Sequence, residues 1–381
     1  MKFSRILLIG SSFKMGLTFH YTRLAIALKR MGIEVVVVSE EGEQYPCLHS
    51  ELEDQSIKYY RTTHLSKSTP VDLIKGAKDI ANILRIHGPF NIILGGGVRE
   101  GPKISMAKKY SDNKSISLSV VGSLPRKRYE CLIASAVYKM FYDKNVTLCN
   151  FTREQMIRLG VKDNKIITVP LFAPDLEWFD KAKQSKIDLE AYSLQDIEKS
   201  EPVIFYAASH YSHKGFEYYL RAASEVLRNI NATFIIGGKG PITQYLRRLA
   251  KRLKIDKHVI FTGWISNYHM PYILSNIADI CVSTSLVEQL PSYVMECMAA
   301  GKPIVASSTG GVHEIVLHGV NGYLVPLHDY KETARRIMEL LNEPEKAREM
   351  GQTGRKMIEQ KLNMKASISK LMKTYEKLCE T

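Results

Sequence analysis

The stretch SLVEQLPSYVMECMAAGKPIVASSTGGVHEIVLHGVNGYLV, from Ser285 to Val325, holds two glutamates eight positions apart, Glu288 and Glu296. Proline is favoured in the first turn of a helix because its missing N–H would be unpaired there, so we predict a helix that starts near Pro291. The N-terminus of such a helix presents free N–H groups and a partial positive charge, which suit a phosphate. Glu288 would flank the anion and Glu296 would lie within the helix, although two glutamates on any exposed helix face can have this spacing.

Other motifs accompany this pair of glutamates. They are Met298-Ala299, Gly301-Lys302-Pro303, Gly310-Gly311, Glu314, Asn321-Gly322, FTGWI (261–265), GGKGP (237–241) and HKGFEYYLRA (213–222). Together with Glu288, Pro291 and Glu296, they resemble the E-x7-E region of retaining glycosyltransferases of family 4. The resemblance covers the C-terminal half of the chain well and the N-terminal half loosely. It implies the two-domain GT-B fold and the transfer of a sugar from a nucleotide-diphosphate donor to an acceptor hydroxyl.

Length and composition describe a globular protein of two domains. A chain of 381 residues is longer than one hydrophobic core usually serves. No apolar run reaches the roughly 18 residues that a membrane span needs, and ILLIG near the N-terminus is more typical of a buried strand than of a signal peptide. The cysteines are scattered without a C-x-x-C pair, so we expect neither a disulfide framework nor a zinc site, and we expect a cytoplasmic protein.

The net charge of +14 is concentrated in the N-terminal half. Residues 1–172 contain 26 Lys and Arg against 15 Asp and Glu, whereas the remainder contains 27 against 24. The local concentrations are Lys103-Lys108-Lys109-Lys114 and Arg126-Lys127-Arg128. An anionic membrane surface or an acidic small molecule can account for such an excess. Nucleic acid is not expected as a partner, because nothing in the chain resembles a nucleic-acid-binding module.

Apolar runs alternate with amphipathic stretches along both halves, which is typical of parallel sheets wrapped by helices. We therefore predict an α/β protein with two doubly wound, Rossmann-like domains that face each other across a cleft. The predicted segments are an acceptor-binding domain (1–172), a linker (173–202), a nucleotide-sugar-binding domain (203–360) and a C-terminal helix (361–381). The resemblance implies that this last helix crosses back to the N-terminal domain.

The resemblance also implies a set of site residues. It gives catalytic roles to Glu288, which contacts the donor sugar, and to Lys214, which neutralises the leaving diphosphate. The other donor-binding residues that it implies are Gly16, Ser209, Gly238, Gly263, Trp264, Ile265, Gln289, Leu290, Pro291, Ser292 and Glu296, the last of which binds the ribose hydroxyls. Arg126, Lys127 and Arg128 are assigned to the acceptor side. No D-x-D motif is present, so we expect neither a metal nor a cofactor.

Two positions depart from the family pattern. The family usually has an arginine five residues before the lysine, where this chain has Ser209, and His210 or His213 could substitute for it. The family also often has a histidine after an N-terminal strand, where this chain has Val121. These departures leave two alternatives open. One is a catalytically weak GT-B protein that binds a nucleotide-sugar or glycan, and the other is a nucleotide-sugar epimerase.

The basic cluster 126–128 opens a predicted helix with many apolar residues, namely Tyr129, Leu132, Ile133, Val137, Met140 and Phe141. Such a helix can dock on the anionic inner face of the cytoplasmic membrane, which would suit a lipid-linked or surface-polysaccharide acceptor. The same apolar residues can instead pack on the sheet of their own domain. The basic residues can also bind an acidic, soluble carbohydrate acceptor.

Overall fold

A computed structural model describes residues 5–10, 17–40, 46–122, 124–125, 127–197 and 201–380. The chain divides into two compact units. Unit 1 comprises Met1–Phe172 and Ser367–Thr381, and unit 2 comprises Ala173–Ala366. Each unit contains a parallel β-sheet with helices in the connections, so the predicted α/β class with two doubly wound sheets is confirmed.

Unit 1 is built on a seven-stranded sheet in the order β3-β2-β1-β4-β5-β6-β7. Its strands are β1 (Arg5–Gly10), β2 (Glu34–Glu40), β3 (Lys58–Thr62), β4 (Ile92–Gly95), β5 (Ile116–Val121), β6 (Lys144–Thr147) and β7 (Ile166–Thr168). The helices between them are α1 (Leu17–Arg30), α2 (Pro46–Asp54), α3 (Pro70–His87), α4 (Glu100–Tyr110), α5 (Arg128–Met140) and α6 (Asn150–Arg158). This alternation of strands and helices corresponds to the alternation of apolar and amphipathic stretches in the sequence.

Unit 2 is built on a six-stranded sheet in the order β10-β9-β8-β11-β12-β13. Its strands are β8 (Val203–Ala207), β9 (Thr233–Gly237), β10 (Val259–Gly263), β11 (Ile280–Ser283), β12 (Ile304–Ser307) and β13 (Gly322–Val325). Its helices are α7 (Leu176–Ala182), α8 (Phe216–Val226), α9 (Thr243–Arg252), α10 (Met270–Asn276), α11 (Ser292–Ala299), α12 (Tyr330–Asn342) and α13 (Pro344–Gln360). The strands are buried runs of aliphatic residues, because helices cover both faces of a parallel sheet.

The strand orders identify the edge of each sheet where a ligand is expected. In unit 2 the chain runs outward from β8 through β9 to β10, and then returns to start again at β11 beside β8. This reversal is a topological switch point, and ligands of open α/β sheets bind beyond the carboxyl ends of the two strands that flank it. The corresponding strands of unit 1 are β1 and β4.

The segment 173–202 is not the separate linker that its polar composition predicts. It belongs to unit 2, where Phe179 on α7 and Tyr192 are buried in the core. Asp180, also on α7, binds Arg355 of α13 through two hydrogen bonds of 3.0 and 2.6 Å. A few well-spaced apolar residues are sufficient to anchor a segment whose other residues are polar, and a composition average does not detect them.

The last helix, α14 (Met364–Glu380), belongs mostly to unit 1. At its start, the Met364 amide donates to the carbonyl of Pro174, which is in unit 2. Further along, the Ser367 hydroxyl donates to the carbonyl of Pro170 at 3.0 Å, and the Tyr375 hydroxyl donates to that of Asn91 at 3.2 Å. The chain therefore passes from unit 2 into unit 1 within this helix.

One of the predicted basic clusters, Lys103-Lys108-Lys109-Lys114, is only partly exposed: Lys109 and Lys114 are exposed, whereas the other two lysines are engaged within the unit. Lys103 on α4 is 1% exposed, and its ammonium group donates to the carbonyls of Leu65 and Lys67. Burial lowers the pKa of Lys103. Lys108 pairs with Asp143 at 2.9 Å. A count of charges in the sequence does not show that Lys103 is buried, because its burial depends on the packing of α4 against α3. Within the described residues, no helix has both the length and the hydropathy to span a bilayer.

Candidate active site

Lys214 lies in the loop that follows β8, at the end of a short 3-10 turn over Ser212–Lys214. The next residue, Gly215, has φ +66°, and a Cβ atom there would lie 1.9 Å from the carbonyl oxygen of Thr284. Only glycine fits this close approach, because a side chain would collide with backbone that cannot move aside. The K-G pair of the sequence motif therefore has a direct structural cause.

Hydrogen bonds join this loop to the one that follows the neighbouring strand β11. The Thr284 hydroxyl donates to the carbonyl of Gly215 at 2.9 Å, and the Leu286 amide donates to the carbonyl of His213 at 2.8 Å. The Ser285 hydroxyl also donates to the His213 carbonyl, at 3.2 Å. We call this set of contacts the loop clamp. It fixes the backbones on both sides of the switch point relative to each other.

The loop clamp brings together Lys214 and Glu288, which are 74 residues apart in the sequence. The distance between Lys214 Nζ and Glu288 Oε1 is 2.5 Å, and the two side chains are 22% and 14% exposed. Both side chains are thus partly shielded from water but still reachable from the carboxyl edge of the sheet. A paired cation and carboxylate at this place can offer a charge to a diphosphate and an acceptor to sugar hydroxyls.

Tyr206 supports this pair from inside the unit, and sequence analysis missed it. Its hydroxyl donates to the backbone carbonyl of Lys214 at 2.7 Å, and its ring stacks on Phe216 with centroids 4.4 Å apart. Burial, and then the nearby charge of Glu288, raises the pKa of Tyr206, so the hydroxyl stays protonated. The aromatic residue in the VIFYA strand was the only available sequence signal, and it is equally typical of core packing.

The helix predicted near Pro291 is present as α11, which begins at Ser292 with Pro291 as its N-cap residue. No side chain caps this N-terminus. The preceding loop is held from the other side, because the Gly311 amide donates to the carbonyl of Gln289 at 2.7 Å. Leu290 packs against the core of unit 2, and Pro291 is buried. The first amides of α11 are thus presented at the same edge of the sheet as the loop that carries Glu288.

Glu296 lies within α11, one turn beyond the start of the helix, and is half-buried. Burial raises the pKa of its carboxyl group to about 7. A buried carboxylate favours protonation unless it acquires hydrogen-bond donors. Two hydroxyl donors, such as those of a ribose, would stabilise its charged form.

Gly238, Gly263, Trp264 and Ile265, four of the predicted donor-binding residues, lie at the ends of β9 and β10. The Gly238 amide donates to the carbonyl of Gly263 at 2.6 Å, and a Cβ atom on Gly238 would lie 2.0 Å from the carbonyl oxygen of Ala208. Packing of the backbone is thus sufficient to account for Gly238. Trp264 is 36% exposed, whereas the Ile265 side chain is buried in the core, so only the backbone of Ile265 can serve the predicted contact with the donor.

The structure also shows the surroundings of the two positions that depart from the family pattern, Ser209 and Val121. Ser209 is exposed on the β8–α8 loop. His210 is fully buried, where its ring nitrogens bond Thr243 Oγ1 at 2.8 Å and the carbonyl of Gly237 at 3.3 Å. Burial lowers the pKa of His210, so this residue does not replace the missing arginine as a cation. Val121 is buried in the core of unit 1.

The remaining predicted residues do not join this cluster on unit 2. Gly16 and Arg126 lie outside the described residues. Lys127 and Arg128 are exposed in unit 1, where α5 begins. The assignment of these residues to the donor loop and to the acceptor side therefore stays a prediction.

Comparison with known proteins agrees with this geometry. Residues 194–357, which include Lys214, the loop clamp and both glutamates, match the family model described as "Glycosyl transferases group 1". These residues are therefore similar to that family, and the match leaves the N-terminal half of the chain uncovered. The Alpha-D-kanosaminyltransferase of Streptomyces kanamyceticus is 29% identical over 190 residues, which are 50% of this chain and 48% of that protein. The putative glycosyltransferase EpsD of Bacillus subtilis is 34% identical over 155 residues, 40% of each chain. The chain thus spans about half or less of the length of these curated relatives.

Solved structures resemble this chain over all or nearly all of its length. A glycosyltransferase from Rickettsia africae covers 100% of both chains with a TM-score of 0.83 at 18% identity. Anabaena HepE, solved in complex with UDP-glucose, covers 99% of this chain and 100% of its own with a TM-score of 0.79 at 16% identity. At such low identities the likeness shows the fold, and the predicted GT-B fold class is confirmed.

Proposed function

We propose that this protein is a retaining glycosyltransferase that moves a sugar from a nucleotide-diphosphate donor to an acceptor hydroxyl. The observation that carries the proposal is the Lys214–Glu288 pair, held 2.5 Å apart beyond the carboxyl ends of β8 and β11. This is where the strand order predicts a ligand, and the pair supplies one group for a leaving anion and one for a sugar.

The proposed chemistry leaves a negative charge on the diphosphate. The bond between the anomeric carbon and the phosphate oxygen breaks, and the bond to the acceptor oxygen forms on the same face of the sugar. The acceptor proton passes to an oxygen of the departing phosphate. Lys214 and the uncapped amides of α11 stabilise the charge that develops on the diphosphate. Such electrostatic stabilisation is usually the largest single contribution to catalysis.

The two glutamates have different proposed roles because their surroundings differ. Glu288 is ion-paired with Lys214, so it is suited to accept hydrogen bonds from the donor sugar and to orient it. Glu296 lies on α11, where burial raises the pKa of its carboxyl group to about 7, and we assign it to the ribose hydroxyls. Since a lysine and a helix N-terminus meet the diphosphate charge, the proposed reaction needs no metal or other cofactor.

The acceptor is proposed to be a carbohydrate or a lipid-linked sugar, in the synthesis of a cell-surface polysaccharide, a glycolipid or another glycan. The support is the surplus of basic residues in positions 1–172, where an acidic or membrane-bound acceptor would be attracted. The proposed location is the cytoplasm, at the inner face of its membrane.

Binding of a nucleotide-sugar without turnover is the second candidate function, and one observation favours it. Ser209 replaces the arginine of the family pattern, and the buried His210 does not compensate for the lost charge. Lys214 is then the only Lys or Arg that the loop after β8 offers to the diphosphate. A protein of this kind would bind the donor but release the nucleoside diphosphate very slowly.

Release of nucleoside diphosphate from a panel of UDP-, GDP- and ADP-sugars, with and without alkyl glycosides as acceptors, separates these functions. A UDP-sugar is tested first, because the similar Anabaena protein was solved with UDP-glucose. Transfer predicts acceptor-stimulated release and a product with the anomeric configuration of the donor, read by NMR. Donor binding without release would support the second function, and isomerisation of the donor without release would indicate an epimerase.

Glu288→Ala is the variant that ties the activity to this site. Turnover is expected to fall by at least about a hundredfold, which corresponds to roughly 2.7 kcal/mol of transition-state stabilisation. Glu349→Ala is the matched control, because Glu349 is an exposed glutamate of the same unit on α13, outside the motifs named above. A Glu288→Ala variant with near wild-type turnover would show that this pair is not the sugar site.

A further inference from the structure

Helix α5 of unit 1 has a row of apolar side chains in water. Tyr129 is 58% exposed, Leu132 62%, Ile133 57% and Met140 71%. At 3.6 residues per turn these four positions fall within an arc of about 100° on one side of the helix. We call this the α5 apolar face. Scattered exposed hydrophobic residues are ordinary, but a continuous stripe along a helix marks a surface that is covered by something.

The α5 apolar face is not the side of the helix that packs on the protein. Ala134, Val137 and Tyr138 are the residues of α5 that enter the core of unit 1. Ser135, also buried, donates its hydroxyl to the carbonyl of Leu159 at 2.7 Å and so fixes the helix on the chain segment after α6. The core therefore uses the opposite side of α5. The alternative in which the apolar residues pack on the sheet holds for Val137 but is wrong for the four exposed residues.

Basic side chains stand at both ends of the α5 apolar face. Lys127 and Arg128 are exposed at its N-terminal end and Lys139 at its C-terminal end, and Glu130 is the only acidic residue of the helix. Cations at a helix N-terminus oppose the helix dipole and lower the stability of the helix itself. Lys127 is the N-cap residue and makes no capping hydrogen bond with its side chain. The ammonium group of Lys127 lies 5.8 Å from the centroid of the Tyr129 ring, and both cations are exposed, so both are accessible to an external anion.

From this combination we infer that the α5 apolar face docks on the surface of an anionic lipid bilayer. An interfacial helix buries its apolar side among the first acyl carbons while its basic residues meet the phosphates of the headgroups. Tyr129 fits the boundary, because its ring is apolar and its hydroxyl is polar. The charge surplus of residues 1–172 adds a longer-range attraction to the same surface.

The two other occupants of this face fit the same observations less well. A soluble acidic carbohydrate would bind Lys127 and Arg128 but would leave Leu132, Ile133 and Met140 in water. A second copy of the chain would cover the apolar residues, but a two-fold interface brings identical patches together. Such a dimer would place the three exposed cations of each copy against the same set, with only one acidic residue per helix to offset them.

Co-sedimentation with lipid vesicles, without donor or acceptor, tests this inference separately from the proposed activity. The full chain is mixed with vesicles of phosphatidylcholine that contain phosphatidylglycerol, or with vesicles of phosphatidylcholine alone, at low and at high salt. The wild-type protein is expected to pellet with the anionic vesicles, less so at high salt, and to stay in the supernatant with the neutral ones.

Two double variants separate the apolar and the ionic contributions. Leu132→Gln with Ile133→Gln, and Lys127→Glu with Arg128→Glu, should each weaken binding to anionic vesicles by about tenfold or more. Ile86→Gln is the matched control, since Ile86 is an equally exposed aliphatic residue (72%) of the same unit on α3. It should bind as the wild type does. All substituted positions are exposed, so unchanged circular dichroism and melting temperature are expected.

Three outcomes would overturn the inference. One is wild-type protein in the supernatant under all conditions. Another is full vesicle binding by the Leu132/Ile133 variant, which would leave an ionic attraction without docking of the apolar face. The third is concentration-dependent self-association in analytical ultracentrifugation that disappears in the same variant while vesicle binding is absent, which would identify a second copy as the occupant.

Discussion

Replacement of Lys214 by alanine removes the charge on which the proposed stabilisation of the diphosphate depends. Within the loop 208–215, Lys214 is the only Lys or Arg. The neighbouring His210 is buried, and burial lowers its pKa, so it remains neutral near pH 7. Lys214 is therefore the only permanently charged cation of this loop.

The expected loss of kcat in Lys214→Ala follows from the lack of a second Lys or Arg in this loop. Removal of one preorganised group that stabilises a developing anion costs about 10²–10³ in kcat, or roughly 3–4 kcal/mol. Because the loop after β8 has no second fixed cation, we expect a loss near the upper end, about 10³. The α11 amides remain in place, since no side chain caps them, and are expected to sustain the residual activity.

The same substitution also leaves Glu288 without its cation. The two side chains are 22% and 14% exposed, so solvent screens the remaining carboxylate only in part. We expect a loss of about 1–2 kcal/mol in the free energy of unfolding, less than for a fully buried pair. For a unit of this size the melting temperature should fall by about 2–8 °C, and the fold should persist at the assay temperature.

Steady-state release of nucleoside diphosphate at saturating donor measures the kinetic effect, and differential scanning calorimetry measures the stability. Lys257→Ala is the control, because Lys257 is exposed and precedes β10, at the amino end of the sheet. The double variant Lys214→Ala with Glu288→Gln should recover part of the stability but none of the turnover. A Lys214→Ala enzyme within about threefold of the wild-type kcat would refute the proposed role, and recovery of its rate by magnesium would refute the metal-free mechanism.

Two further substitutions test the site through stability and binding. The Glu296 pKa is raised from 4.5 to about 7, so its stabilising contribution is complete below pH 4.5 and is lost as the pH rises to about 7. Over this pH range the free energy of unfolding should fall by roughly 3 kcal/mol, and Glu296→Gln should remove most of this fall. The same variant should bind nucleoside diphosphate more weakly in titration calorimetry. Unchanged affinity would exclude the ribose contact. Gly215→Ala should lower the melting temperature and abolish turnover, because its Cβ would lie 1.9 Å from the Thr284 carbonyl oxygen. Wild-type activity in this variant would show that the loop clamp is dispensable.

Much of the fold could be predicted from the sequence because the relevant signals are local. The aliphatic runs of β1 and β2 are too apolar for any place other than a covered sheet, and the structure buries them. The connections between strands follow the alternating pattern, and α11 begins beside the proline that predicts it. The segment 173–202 was misjudged, because its few apolar anchors, such as Phe179 and Tyr192, are diluted by polar residues.

The sequence predicted which residues form the candidate site, but not which of them are in contact. Lys214 and Glu288 each follow a strand, and their motifs mark both as candidates. Their contact depends on the placement of β11 beside β8, which connects residues 74 positions apart. The sequence did not reveal that the hydroxyls of Tyr206 and Thr284 bond the backbone carbonyls of Lys214 and Gly215. A tyrosine in a strand and a threonine after one are common in any α/β core.

By itself, the sequence determined the class of the fold, the position of the helix at the site and the identity of the charged groups. Those properties depend on periodicity and on neighbours a few residues away. Only the tertiary structure decided which charges are available. It buries Lys103 and His210, pairs Lys214 with Glu288, and leaves the α5 apolar face in water. Burial is set by partners from distant parts of the chain, so identical residue types become core, site or surface according to what packs against them.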